Sequence, residues 1–296
     1  MDIEIFGSEN TVQGMATAAR TASDEGFEGY WMPQIFGLDA LTAIAAVSTQ
    51  VDGIRFGTSV IPTYPRHPMM LAQQALTTNQ ASGGRLQLGI GLSHQMVVEG
   101  MWGISFDKPL RHMREYLEIL MPLIHTRSVS FEGETLTAKG DIDVPSDPCP
   151  VLVAALGPRM LELTGRVADG TITWMTGPKT ISDHTAPIIK AAADAAGRPA
   201  PEIAAGLPVC VTDDVEGARA RAAQLFAIYG MLPSYRSMLD REGMSGPEDL
   251  AAIGSADHVA EQIAAVFEAG ATRLAASEFG TPDELAATRD ALRRLL

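Results

Sequence analysis

Cysteine is nearly missing from this 296-residue chain, which carries only Cys149 and Cys210. Two thiols cannot make a disulfide framework and are too few to build a zinc site, so they read as buried thiols of a reducing compartment. The histidines, at 67, 94, 112, 125, 184 and 258, are scattered without metal-ligand spacing, and no H-E-x-x-H occurs, so no metal site is expected. Positive charge is scarce too. The 22 Lys and Arg face 36 Asp and Glu, a net charge of −14, which argues against a nucleic-acid partner held by its phosphates. No stretch approaches the roughly 18 apolar residues of a membrane span, and the opening Met-Asp-Ile-Glu-Ile-Phe has acids where a signal peptide needs basic residues. A cytosolic protein acting on a small molecule is therefore expected. A P-loop pattern and G-x-S-x-G are also lacking. No repeat, low-complexity run or linker divides the chain, which points to one domain over residues 1–296.

What is present is an alternation. With 46% hydrophobic and 20% charged residues the chain can fold around a large core. Short β-branched apolar segments recur, each followed by an Ala-rich stretch of helical period, the pattern of parallel βα units. Eight strands are predicted: 2–6, 28–32, 54–61, 85–92, 150–155, 170–175, 203–211 and 272–276. The clearest helix follows the fourth, where Leu110, Met113, Leu117, Leu120, Met121 and Ile124 share one face. Eight such units in this length predict a (β/α)₈ TIM barrel, with an open doubly wound sheet as the alternative. Insertions are expected after strand 4 (97–108), after helix 4 (126–147, with a hairpin over 129–136) and after strand 7 (230–255), and such segments build lids and pockets.

In a parallel barrel the site lies where the strands end, so the residues following each strand are the ones to inspect. In the fourth strand Leu86, Leu88, Ile90 and Leu92 share one face, and Gln87, Gly89 and Gly91 share the other. The glycines leave room either for a flat ligand or for close strand packing. Gly89-Ile-Gly91-Leu-Ser-His94 is a poor dinucleotide fingerprint, because His94 stands where the third glycine belongs. After the fifth strand, Leu156-Gly157-Pro158-Arg159-Met160 places proline at a helix start, leaving free amides that suit an anion with Arg159 as charge partner. Thr176-Gly177-Pro178 repeats the arrangement after the sixth strand. An ordinary helix start explains either loop alone, but two together favour an anion site.

Several soft motifs occur in order: Arg55-Phe-Gly-Thr-Ser-Val60, Arg66-His-Pro with Ala72-Gln, Ser82-Gly-Gly-Arg85 leading into Leu88-Gly-Ile-Gly91, Arg111-His-Met-Arg-Glu-Tyr116, and Leu156-Gly-Pro-Arg159 with Ala168-Asp-Gly170. Through them nearly the whole chain resembles the luciferase-like monooxygenase superfamily, in particular its coenzyme F420-dependent oxidoreductases. The resemblance implies a barrel holding F420, or alternatively FMN, at the strand C-termini. It casts Ser59-Val60 as a non-prolyl cis peptide beside the ring, Leu156, Gly157, Pro158, Arg159, Met160, Thr176 and Gly177 as holders of the phosphate-bearing tail, and Gln34, Gly91 and His94 as lining the ring and substrate pocket. It further implies a homodimer. The sugar-phosphate dehydrogenases of that branch carry Asp-His where this chain has Gln34-Ile35, and Glu where it has His94, which argues against a sugar-phosphate substrate. His94 is the first candidate for proton transfer, because imidazole titrates near neutrality, and Glu278 the second. A non-catalytic cofactor-binding barrel is the reading from another class.

Overall fold

The structure, a computed structural model, describes residues 1–296. Eight strands form its centre: β1 (Ile3–Phe6), β2 (Gly29–Met32), β3 (Arg55–Thr58), β4 (Leu86–Gly91), β5 (Val151–Val153), β6 (Gly170–Trp174), β7 (Glu202–Val211) and β8 (Arg273–Glu278). Each pairs in parallel with the next, and β8 returns to β1, so the sheet closes. That closure decides for the TIM barrel over the open sheet. A short segment, Ile61–Pro62, continues β3 along β4, and Ala252–Gly254 adds a ninth parallel neighbour outside β7.

A layer of helices wraps the barrel: α1 (Val12–Asp24), α2 (Ala40–Ser48), α3 (Pro68–Ala81), α4 (Pro109–Thr126), α5 (Pro158–Val167), α6 (Ala186–Ala195), α7 (Ala256–Glu268) and α8 (Pro282–Arg293). Their starts are written locally. The side chains of Thr11, Asp39 and Ser255 accept from amides of the first turns of α1, α2 and α7, and Thr281 with Glu284 makes a capping box at α8. The main apolar core lies between barrel and helices, and Leu86, Leu88 and Ile90 of β4 enter it as their alternation predicts.

Inside the barrel the layers differ sharply. At the N-terminal end Arg55 reaches Asp2 (3.1 Å), Glu4 (2.8 Å) and Glu28 (3.1 Å), while Arg273 reaches Asp2 (3.3 Å), Glu202 (3.1 Å) and the Gln87 side chain. Above this plug Trp31 donates its indole N–H to Glu4 and packs against Leu152, Ile172, Ala204 and Ala275. The ring fits only because β3 carries Gly57, where a Cβ would stand 2.1 Å from Trp31 Cε3.

Four expected boundaries shift. The third strand breaks after Thr58, with Ser59-Val60 in a cis peptide before Ile61. The hairpin is longer than expected, pairing Ser128–Glu132 with Thr137–Asp141. Its second strand, Thr-Ala-Lys-Gly-Asp, is too polar to announce itself. Beyond β7 the chain already forms helices at Val215–Leu225 and Ala227–Met231, ahead of Pro233–Glu242. Finally, β8 runs on to Glu278.

Candidate active site

The strand C-termini surround an aromatic cup. Its floor is the buried Trp31, against which the half-buried Phe6 and Val60 pack. Gly91 gives its volume to Val60, since a Cβ there would lie 2.6 Å from Val60 Cγ2, and a Cβ on Gly89 would collide with the Thr58 carbonyl. Close packing against Thr58 and Val60 therefore accounts for the two glycines. The roof comes from the segment after β7. Phe6 lies 5.2 Å from Trp174 at the end of β6, Trp174 meets Phe226 and Tyr229 at 6.0 Å, Tyr229 meets Tyr235 at 5.0 Å, and Tyr235 lies 5.8 Å from His94. These rings form an arc from β1 across the mouth to the loop after β4, mostly tilted or edge-on as their quadrupoles favour. Ser93 and Met175, next to His94 and Trp174, hold left-handed φ values of 64° and 50°, turning the chain sharply at the rim.

His94 is the titratable group at this end of the arc. It precedes the helix Gln95–Gly100 without spending its side chain on a cap. Burial lowers its pKa, so the imidazole is neutral at pH 7 and free to accept a proton or pass one on. Burial likewise raises the Tyr229 and Tyr235 phenols, and keeps them protonated.

The other catalytic candidate does not join this arc. Arg273 and Ala275 point into the barrel, so strand parity turns Glu278 outward with Leu274 and Ala276. There Arg289 Nε donates to Glu278 (2.7 Å), its second nitrogen takes the other carboxylate oxygen, and Glu25 completes the cluster at 2.9 Å. Glu278 is structural, and its candidacy as a proton carrier is withdrawn. Gln34 is also partly committed, because its Oε1 accepts from Ala40 N (2.7 Å) at the start of α2.

The two Gly-Pro loops differ in a way their sequences hide. At the first, a Cβ on Gly157 would meet nothing within 4 Å, no side chain caps α5, and the exposed Arg159 belongs to none of the chain's ion pairs. Leu156 is fixed from behind by His184, whose Nε2 donates to its carbonyl at 2.8 Å, and Met160 packs into the main core. At the second loop, Thr176 is buried and its hydroxyl reaches the Trp174 carbonyl at 3.4 Å, but an anion is already there. Thr180 N donates to Glu242 Oε1 at 2.6 Å, and a Cβ on Gly177 would stand 2.6 Å from the Glu242 carboxylate carbon. Two depressions beside the chain ends, each edged by Gly26 and Leu296, lie at the opposite end of the barrel and gather no comparable chemistry. Nowhere do three His, Cys, Asp or Glu side chains converge as a metal site would need.

The model of the luciferase-like monooxygenase family matches residues 5–273. The chain belongs to that family. A 5,10-methylenetetrahydromethanopterin reductase of Methanolobus tindarius is 28% identical over 254 residues, 85% of this chain and 77% of its own. A putative coenzyme F420-dependent oxidoreductase of Mycobacterium tuberculosis is 29% identical over 291 residues, 92% of this chain and 82% of its own. Among solved structures, the F420-dependent tetrahydromethanopterin reductase of Methanopyrus kandleri superposes with a TM-score of 0.82 at 21% identity, covering 99% of this chain and 96% of that one. The oxygenating component of 3,6-diketocamphane monooxygenase of Pseudomonas putida, in complex with FMN, gives 0.77 at 19%, covering 99% and 96%. At those identities the two structures speak for the shared fold.

This luciferase-like oxidoreductase has a donor set that fits one anionic group of a flavin or deazaflavin, at the open Gly157 loop with Arg159. Reasoning from sequence missed the roof aromatics Phe226, Tyr229 and Tyr235, and it missed Glu242. A signal for the aromatics existed. In a chain that is only 6% aromatic, three rings fall within ten residues across the start of the expected insertion. Glu242 gave no signal, because its importance arises from a contact 62 residues distant in sequence.

Proposed function

We propose that the chain is an F420-dependent oxidoreductase that moves a hydride between the deazaflavin and a small organic substrate at the barrel mouth. The observation that carries this reading is the pairing of a half-covered aromatic cup with an unpaired Arg159 beside the free amides of α5. Aromatic surface and an anion grip at the same end of the barrel suit a planar redox ring on a phosphate-bearing tail. The names of the two relatives, both tied to F420 or to methylenetetrahydromethanopterin reduction, support the deazaflavin over FMN.

When bound, the deazaflavin supplies the two-electron chemistry, donating or taking up a hydride. The chain's own residues do the rest. Arg159 and the first-turn amides of α5 hold the tail, and Val60, Phe6 and Trp174 line the slot. The roof rings exclude water, which strengthens every electrostatic contact beneath them. Neutral His94 takes a proton from a substrate hydroxyl during oxidation, becoming imidazolium, and in reduction the imidazolium form, protonated beforehand from solvent, gives its proton to the oxygen. The test is equilibrium binding of F420 and FMN in both redox states. F420 is expected to bind at least about tenfold more tightly, with Arg159→Ala weakening it about tenfold by loss of one charge-assisted contact. Tighter binding of reduced FMN, with oxygen consumption, would overturn the reading.

A further inference from the structure

Two half-buried polar rings meet at the mouth with nothing to bond. His94 and Tyr235 stand 5.8 Å apart, centre to centre, at an angle of 52°. Neither the imidazole nor the phenol has a hydrogen-bond partner in the chain, although polar groups withdrawn from water in folded proteins are nearly always paired. Tyr235 is firmly placed. It belongs to the helix Pro233–Glu242, packs edge-on to Tyr229 at 5.0 Å and joins the cluster of Met175, Leu239 and Leu250. The rings that continue the arc from it, Tyr229, Trp174 and Phe6, are uncharged at neutral pH. The flanking segments add apolar surface: Met96 and Met101 follow His94, Ile228 and Met231 precede Tyr235, and all four side chains are exposed.

We propose that Tyr235 is a second catalytic residue, which with His94 grips the reacting oxygen of an uncharged aryl ketone or aryl secondary alcohol, an inference that rests on the hydride-transfer reading of the mouth. An oxygen seated in the gap lies within hydrogen-bond reach of both side chains and supplies the partner that each lacks. In reduction the hydride adds to the carbonyl carbon, the C=O π pair becomes a lone pair on oxygen, and the His94 imidazolium gives that oxygen its proton. Tyr235 keeps its own proton and donates a hydrogen bond to the charge that builds on the oxygen, as an oxyanion-hole donor does. Oxidation of the alcohol runs the same steps backwards. The aryl group packs against the rings around the gap, which reward an aromatic partner beyond the area it covers. A carboxylate or phosphate on the substrate would lose water here and meet no counter-charge among these rings.

The probes are acetophenone, its carboxylated analogue 4-acetylbenzoate, and cyclohexyl methyl ketone, which has the bulk without the aromatic ring. Saturation-transfer NMR on the full chain, with and without F420, measures binding, and oxidation of reduced F420 measures turnover. Acetophenone is expected to bind about threefold more tightly than the cyclohexyl ketone and at least about tenfold more tightly than 4-acetylbenzoate. Tyr235→Phe keeps the ring and removes the donor. It should weaken acetophenone binding about fivefold and lower kcat about 100-fold, with the melting temperature and the pH dependence set by His94 unmoved. Unchanged kcat in Tyr235→Phe, binding of either other ketone as tightly as acetophenone, or no binding of acetophenone with or without F420 would overturn the proposal. Acetophenone binding that Tyr235→Phe weakens, in a chain that takes up no F420, would remove the cofactor reading alone, so the two failures are distinguishable.

Discussion

The two ends of the barrel are made by the same eight strands and treat charge in opposite ways. At the N-terminal end Arg55 and Arg273 satisfy one another's acids, Asp2, Glu4 and Glu202, in a closed cluster around Gln87. At the mouth the interior is aromatic, Arg159 is unpaired, and His94 leaves its own helix uncapped. Charges paired with each other have nothing left to offer a ligand, so the closed end stabilises, while the mouth keeps an unpaired charge exposed. The division follows the strand direction common to parallel barrels, and here it extends to single side chains. Glu278 and His94 both follow or end a strand at the mouth, yet Glu278 is spent on Arg289 while the His94 side chain makes no cap.

The hardest way to break the comparison is to open the closed end. Arg55→Ala strips the counter-charge from Glu4, which is fully buried, and removing one partner of a buried pair costs about 3–5 kcal/mol. Urea unfolding should show that loss, while the folded fraction keeps the F420 affinity expected of the parent. An unchanged unfolding midpoint would mean that the plug is not a unit.

The next effect sharpens the contrast within the mouth. His94→Ala is expected to lower turnover by about 100-fold or more with stability unchanged to within about 0.5 kcal/mol, as for a proton carrier without structural duties. Glu278→Gln should do the reverse, costing about 1–3 kcal/mol through its bonds to Arg289 while turnover in the folded enzyme persists. Steady-state kinetics beside thermal melts separates the two, and full turnover in His94→Ala would remove the proton-transfer role.

The strands were the legible part of the sequence, and the charge cluster at their closed end was not. Buried parallel strands appear as β-branched apolar runs, and all eight were placed, although Thr-Ala-Lys-Gly-Asp of the hairpin was not. The mouth was legible as loops and less so as contacts. Gly89 and Gly91 marked a close approach without saying that the Thr58 carbonyl and Val60 make it, and Gly177 marked an anion loop without saying that the Glu242 carboxylate lies against it. Glu278 was expected just past a strand ending at 276; the strand instead runs to 278, so its alternation holds there and turns the carboxylate outward to Arg289. Such assignments depend on partners distant in the chain, which local pattern does not encode.

The smallest effect concerns the strap that joins the two ends. The hairpin Ser128–Asp141 leaves the far end of α4 and runs back so that its turn meets Glu115, which accepts from Glu134 N (3.1 Å), Thr135 N (2.8 Å), Thr135 Oγ1 (2.6 Å) and Leu136 N (3.0 Å). Burial alone would raise the Glu115 pKa, but these bonds override it and hold the carboxyl at about 2 against an ordinary 4.5. One turn earlier, burial lowers His112 to about 4 from 6.5, with Glu115 opposing; the ring bonds Thr63 Oγ1 at 3.0 Å and stacks on Tyr64 at 4.0 Å. Both folded-state values lie below the unfolded ones, so both contributions are complete at high pH and decline on acidification, His112 from about pH 6.5 towards 4 and Glu115 from about 4.5 towards 2. Glu115→Gln should cost about 1–2 kcal/mol at pH 7, a figure reduced for solvent screening, and flatten the stability profile below pH 4.5 while leaving the upper limb intact. Urea midpoints measured from pH 7 to 3 check this. A profile in Glu115→Gln as steep as the parent's below pH 4.5 would show that the strap is not held by this carboxylate, and would return the acid sensitivity to the charge cluster at the closed end.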